Sequence, residues 1–351
     1  LRAAWPRFSK TINSGLSNAP PEESVKKFIN SVDTMLTQSL DGFAAAHSNI
    51  IVLGPERKFV RRRSPNPDKV ALISGGGSGH EPLHVGLVGT GMLDAACPGQ
   101  VFTSPTPDQI VEAATAVGSN AGVLFIVKNY AGDCMNFEMA AEAFDGTSAT
   151  IVTNDDVAVE KSTYSTGRRG VAGTLIVEKI VGAAAEKAAD LKSCAELGAE
   201  VNAKTRSLGV ALTSCTVPAA GTPTFSLGSD EMEMGVGIHG EPGRRRVTLA
   251  SADAVADEMV GAILADFDHP RSGDALLFVN GFGGTPAIEL YLMYNSARKI
   301  LEKHGLKIQR SLVGSYVTSL EMVGCSITVT LLDRKLLELW DDPVHTAALR
   351  W

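Results

Sequence analysis

The chain has 351 residues, room for two domains of ordinary size or one large one, and its 44% apolar content can bury a core without a disulfide or metal staple. Its 32 Lys and Arg against 39 Asp and Glu leave a net charge of −7, which argues against the broad basic surface that nucleic-acid binding requires. No apolar run reaches the roughly 18 residues of a membrane span, and the five cysteines (97, 134, 194, 215 and 325) are odd in number with no C-x-x-C pair, as in a reduced, cytoplasmic protein.

Residues 1–24 mix Trp5, Pro6, Ser14-Gly15 and Pro20-Pro21 without periodicity or an apolar h-region, and read as an irregular extension, not a signal peptide. Apolar residues from Val25 to Phe43 recur at helical spacing and predict a helix over 22–46. Arg61-Arg62-Arg63 reads as a solvated turn, as does Arg244-Arg245-Arg246 further on, and Pro65-Asn66-Pro67-Asp68 is a turn. Val70–Ile73 then reads as a buried strand running into a glycine loop at 75–79. A helix starts at Pro107 with Thr106 as its cap, then a strand at 122–127, a helix at 133–144, a strand at 149–153 and a long Ala-rich helix at 171–191. The Ala/Lys/Glu-rich stretch 190–206 is the expected domain boundary. Beyond it come a strand at 205–215, a helix at 252–265, a strand at 275–280, a helix at 286–304 and β-rich runs at 308–319 and 325–332. Asp333 caps a last helix ending near Trp340. Alternating strands and helices predict an α/β fold of two domains, 25–200 and 201–351, each a mixed sheet flanked by helices, with antiparallel strands in the second.

The densest chemical signal is Ser74-Gly75-Gly76-Gly77-Ser78-Gly79-His80-Glu81-Pro82. Its glycines let backbone N–H groups approach a small oxygen-rich ligand, and Gly76, Gly77, Ser78 and Gly79 are candidate ligand contacts. No Lys-Ser/Thr pair closes the run, so it is not a P-loop. His80-Glu81-Pro82-Leu83-His84 matches H-E-x-x-H, but zinc chemistry needs both histidines within one helix, and His80 comes directly after the glycines; no metal site is expected. Gly235-Val236-Gly237-Ile238-His239-Gly240 matches G-x-G-x-x-G, yet Glu241-Pro242-Gly243 and three arginines cannot open the helix a dinucleotide needs. His239 itself, between small neighbours, is either a structural histidine or a neutral nucleophile able to add to a ketone. Asp133, in Lys128-Asn129-Tyr130-Ala131-Gly132-Asp133, falls at a βα junction and reads as a helix N-cap, a general base, or both. Asn154-Asp155-Asp156 reads as a turn or cap, and Gly281-Phe282-Gly283-Gly284-Thr285-Pro286 as a second ligand-facing or interdomain loop.

Over about residues 26–351 the chain resembles the dihydroxyacetone-binding K subunit of dihydroxyacetone kinases. The resemblance rests on SGGGSGHEP (74–82), FTSPTPDQI (102–110), VKNYAGDCMNFEMA (127–140), GRRGVAGT (167–174), GIHGEP (237–242), FVNGFGGTP (278–286) and DPVHTAALRW (342–351). It implies that His239 forms a covalent hemiaminal with C2 of dihydroxyacetone. It further implies that His80 hydrogen-bonds the triose and assists, that Asp133 is the base on the hydroxyl to be phosphorylated, and that Gly77 makes backbone contacts. It also implies a homodimer and no nucleotide cofactor on this chain: ADP or ATP with Mg²⁺ sits on a partner L subunit, rephosphorylated in the phosphoenolpyruvate-dependent form by a third subunit, M. A regulatory paralogue that binds the same ketone as a coactivator, and a K domain from a single-chain ATP-dependent kinase, are the alternatives. An unrelated sugar-phosphate isomerase or aldolase is disfavoured by the motifs.

Overall fold

The computed structural model describes residues 26–158, 167–267 and 272–351, so the expected extension at 1–24 lies outside the described residues. In chain order the elements are α1 (Met35–Ala46), β1 (Ile51–Leu53), β2 (Val60–Arg62), β3 (Ala71–Ser78), β4 (Gly89–Thr90), β5 (Ala95–Val101) and α2 (Pro107–Val117). Then come β6 (Val123–Lys128), α3 (Ala131–Ala143), β7 (Ser148–Thr153), α4 (Gly173–Glu186) and α5 (Leu191–Ala203). The remainder is β8 (Thr205–Ala211), β9 (Glu231–Met234), β10 (Arg245–Thr248), α6 (Ala252–Asp266), β11 (Gly273–Gly281), α7 (Ala287–Lys303), β12 (Leu306–Gly314), β13 (Gly324–Leu332), α8 (Arg334–Asp341) and β14 (His345–Thr346). No described helix is long and apolar enough to cross a membrane.

Two mixed six-stranded sheets carry the fold. The first has the order β1-β2-β5-β3-β6-β7, with β5, β3, β6 and β7 parallel and the β1-β2 pair antiparallel at one edge. The second has the order β10-β9-β8-β13-β11-β12, antiparallel except for the β11-β12 pair. Helices flank both sheets, and one apolar cluster runs from Leu72 and Ile126 through Leu175 and Ile180 of α4 to Leu276 and Phe278, joining the two halves. Helix α4 is buried along nearly its whole length, in keeping with its many Ala, Val and Ile residues, and it carries Glu178 and Lys179 into the interior with it.

Local chemistry explains both the matches and the departures. Pro107 occupies the first turn of α2, and the Gln109 side chain accepts the Thr106 N–H at 2.9 Å, closing the expected start. Asp333 caps α8 by accepting the Leu336 N–H at 2.9 Å. The first helix is shorter than its periodicity suggests: α1 begins at Met35, because the Ser31 hydroxyl accepts the Thr34 N–H at 3.2 Å and turns the chain there. The expected long helix at 171–191 is shorter: α4 ends at Glu186, the chain turns at Ala188, whose φ is +60°, and Asp190, which accepts the Ser193 N–H at 2.7 Å, starts a separate helix, α5. Residues 191–203 of the expected boundary form α5, packed on β7 and β6.

The arginine triplets are corrected too: Arg61 and Arg62 lie in β2, and Arg245 and Arg246 in β10, where they stay near solvent beside Glu258, Glu231 and Glu233. Arg62 is buried, its guanidinium donating to Asp94 at 2.8 Å and Glu186 at 2.7 Å. Asp94 also accepts from the buried Lys69 ammonium and from the Leu72 N–H. Replacing that anion strands the buried Lys69 ammonium and strips Arg62 of one of its two carboxylates, so Asp94→Ala should lower unfolding free energy by about 3–5 kcal/mol. A denaturant midpoint within error of wild type would contradict that role for Asp94.

Candidate active site

The three central parallel strands β5, β3 and β6 end side by side, and residues at or just past their carboxyl ends line one cavity of about 700 Å³. Such carboxyl ends are where α/β sheets present ligand groups. Phe102, Thr103 and Ser104 come after β5; Gly77 lies near the end of β3; Tyr130 and Asp133 come after β6. The opposite wall belongs to the second half of the chain, with His239, Gly240 and Glu241 beyond the end of β9.

The expected glycine loop is the second half of strand β3. A Cβ on Gly77 would meet Thr103 N at 2.5 Å, so only a glycine lets the backbone reach this wall. Of the four expected contacts, Gly77 alone lines the large cavity. Gly76 leaves the space that the Lys128 ammonium fills, the Ser78 hydroxyl donates to Gly99 O at 2.7 Å, and the Gly79 N–H donates to the Glu81 carboxylate at 2.9 Å.

His80 is fully buried and stacks on Phe102 with 5.0 Å between ring centroids. Its Nδ1 lies 2.8 Å from Thr318 O, which assigns the proton to Nδ1 and leaves Nε2 as an acceptor; Nε2 is buried with no hydrogen-bond partner. Burial, His239 and Lys128 hold its pKa well below the ordinary histidine value. His80 and His84 do not share a zinc-binding helix: after His80 the chain turns, and among the described residues no His/Cys/Asp/Glu group could hold a metal.

His239 stands at right angles to His80, 4.7 Å between ring centroids, with Tyr130 at 4.3 Å on another side. Its Nδ1 is sealed without a partner, which leaves Nε2 as the nitrogen presented to the cavity. The loop that carries it turns at Gly240, where φ is +72°, and passes into β10, so it opens no helix, as expected. Glu241 fixes the loop: one carboxylate oxygen accepts the His239 N–H at 3.0 Å and the other accepts from Arg169 at 2.9 Å. Arg169 is buried and also donates to Asp156 and to Gly235 O, tying the loop to the first half of the chain. Burial, with help from the Lys128 and Arg169 cations, pushes the His239 pKa down to about 3.

Asp133 is not the N-cap; Tyr130 holds that position and Asp133 sits inside the first turn of α3, where the helix dipole favours a carboxylate. It is buried, and Lys128 Nζ donates to its Oδ2 at 3.2 Å. Asp155 does act as a cap: it accepts the Val171 and Gly173 N–H groups at 2.9 and 2.7 Å at the start of α4. The 281–286 loop does not face the cavity; it packs on residues 318–324, the Ser319 N–H donating to Phe282 O, and that segment in turn supports His80. Sequence reasoning missed Lys128, Tyr130, Arg169 and Glu241 as parts of the site. The Lys128–Asp133 spacing across a strand end was the one signal that could have found the first of them.

The Dak1 domain model matches residues 41–348. The chain is 47% identical to the PEP-dependent dihydroxyacetone kinase, dihydroxyacetone-binding subunit DhaK, of Escherichia coli K12, over 93% of this chain and 99% of that one. It is 46% identical to the PTS-dependent dihydroxyacetone kinase 1 DhaK subunit of Listeria innocua, over 92% and 100%. Among solved structures, the dihydroxyacetone kinase operon co-activator Dha-DhaQ superposes with a TM-score of 0.83 at 34% identity, covering 89% of this chain and 97% of that one.

The protonation states are open to test. His80 and His239 should both stay neutral as pH falls from 8 to 5, and ring-proton NMR of His239 should show no midpoint in that range; a midpoint near the ordinary value of about 6.5 would mean a far more solvated ring than this one. The chain belongs to the Dak1 family, alongside the dihydroxyacetone-binding DhaK subunits of dihydroxyacetone kinases.

Proposed function

We propose that this protein is the dihydroxyacetone-binding subunit of a dihydroxyacetone kinase, holding the ketotriose as a hemiaminal on His239 while a separate L subunit donates the phosphoryl group. One juxtaposition carries the reading: the neutral His239 imidazole and the Asp133 carboxylate line one cavity of about 700 Å³, and a second neutral imidazole, His80, packs edge-on against His239 with a buried acceptor nitrogen that has no partner. The 47% and 46% identities to DhaK subunits support the kinase role more than the 34% identity to the co-activator supports a regulatory one.

Each residue has its own part in the reaction. The Nε2 lone pair of His239 forms the bond to C2, the carbonyl π pair moves to the oxygen, and the proton released by the ring ends on that oxygen. His80 Nε2 accepts a hydrogen bond from a triose hydroxyl, and the Gly77 backbone lies close enough for main-chain contact. Asp133 takes the proton of the hydroxyl that attacks the phosphoryl group. Covalent capture orients that hydroxyl before transfer and selects chemically, since glycerol offers no carbonyl to His239. ADP or ATP with Mg²⁺ belongs to the L partner in this reading, with an M subunit recharging it. The five unpaired cysteines suit a cytoplasmic setting. Exposed Ile288, Tyr291 and Leu292 on one face of α7 support a homodimer, which light scattering would register as twice the chain mass.

His239→Ala should weaken ketone binding about 100-fold or more, near 2.7 kcal/mol, and should abolish the mass adduct of the trapped triose. Unchanged affinity would remove the covalent model. Asp133→Asn should still bind but lose about 10²–10⁴ in kcat. The deciding assay measures dihydroxyacetone phosphate formation with MgATP alone and with an ADP-loaded L subunit and its phosphorelay. Product only with the relay establishes the phosphoenolpyruvate-dependent kinase; none, despite normal ketone binding and a relay proven on another K subunit, establishes the coactivator reading instead.

A further inference from the structure

Behind the cavity, four titratable side chains from four different segments form one buried line. Lys128, at the end of β6, uses its three ammonium protons on three acceptors: Gly75 O at 3.1 Å, His84 Nε2 at 3.1 Å and Asp133 Oδ2 at 3.2 Å. Because the ammonium donates to Nε2, His84 carries its proton on Nδ1, which donates to Glu178 Oε1 of α4 at 2.6 Å. Lys128 and Glu178 are fully buried, and His84 and Asp133 nearly so. Gly76 makes the line possible, since a Cβ there would collide with the ammonium.

A buried assembly of this kind costs several kcal/mol in desolvation, and a core that needed only packing would be as stable with apolar residues of the same volume. Its one accessible end is Asp133, which lines the cavity while Glu178 lies sealed at the other end. We propose that His84 and Glu178 are positioning residues for phosphoryl transfer: they clamp the Lys128 ammonium from behind, so that its third N–H bond fixes the Asp133 carboxylate toward the bound triose. Lys128 is the cation that holds Asp133, so the direction of the carboxylate depends on where the ammonium points.

The electrostatics agree. Burial pushes Glu178 up to about 8 against the pull of Lys128 and the Ser74 hydroxyl, and burial with Lys128 and His80 keeps His84 neutral. Facing the line from neighbouring elements are His80, His239, Tyr130 and Cys134, of which the two histidines are neutral and the phenol and thiol are pushed up. Glu178 is therefore largely protonated at neutral pH and below, and it holds the line through the hydrogen bond that its Oε1 accepts from His84 Nδ1, not through a net charge. Losing that acceptor frees the His84 ring and with it the ammonium, so the effect falls on kcat and not on ketone binding.

This inference rests on the kinase reading, and the test separates the two. Wild type, Glu178→Leu, Glu178→Gln and His84→Gln would be assayed with the ADP-loaded L subunit and its relay, with dihydroxyacetone affinity measured on the same preparations. Glu178→Leu and His84→Gln are expected to bind the ketone as wild type does and to lose at least about tenfold in kcat. Glu178→Gln, which keeps an acceptor for His84 Nδ1, should recover a good part of the loss. Wild-type kcat in Glu178→Leu would overturn the inference while leaving the kinase reading intact. A parallel loss of ketone binding would show a merely structural role and overturn it too. No product from wild type would overturn both.

Discussion

The Lys128 ammonium is the constraint around which the rest of the site is arranged. It sits fully buried at the end of a central parallel strand, and a buried cation persists only if every N–H finds an acceptor. That requirement places a carbonyl on β3, an imidazole after it and a carboxylate on α3 at fixed distances of 3.1–3.2 Å, and it forbids a side chain at Gly76. The strand ends, the first turn of α3 and the turn after His80 are thereby locked to one another. The cavity wall on that side inherits its shape from the geometry of one ammonium group.

A second buried cation has the corresponding part on the far wall. Arg169 binds Asp156, Glu241 and Gly235 O, and through Glu241 it holds the backbone of His239. Lys128 and Arg169 come from the first half of the chain, whereas the nucleophile candidate comes from the second. The relative placement of His80 and His239, 4.7 Å between ring centroids, thus depends on the Arg169–Glu241 ion pair that crosses between the halves as much as on the apolar cluster shared by the two sheets. Mutating either cation would be expected to misplace a cavity-lining group without altering that group itself.

Much of this was legible in the residues, and the limits have physical causes. Strands β3, β6 and β7 and helices α2, α6, α7 and α8 are continuous apolar runs or periodic segments with recognisable caps, so their positions come from local chemistry. Local reasoning failed where tertiary partners decide. Arg62 looks solvated in a run of three arginines, yet Asp94 and Glu186, distant in sequence, draw it inside. Four glycines in five positions look like a loop, yet pairing with β5 draws Gly75, Gly76 and Gly77 into β3. His80, Asp133 and His239 could be named one at a time, but nothing local says that Asp133 faces a lysine or that His84 belongs to the site. His80 and His84 of the H-E-x-x-H run stand at the same site, one beside the cavity and one behind it.

The electrostatic consequence reaches the chemistry itself. Each buried cation is matched by carboxylates, so the site carries strong local fields without an uncompensated charge. Those fields, added to burial, keep His80 and His239 unprotonated where an exposed histidine would begin to charge. The neutral His239 imidazole facing the cavity is a poor structural element: its sealed Nδ1 has no partner to offset its burial. It is, however, the form that can add to a carbonyl. The uncompensated nitrogen and the suppressed protonation are costly to folding and useful only if an electrophile enters, which is why the arrangement points to a ketone rather than to a polyol of the same size.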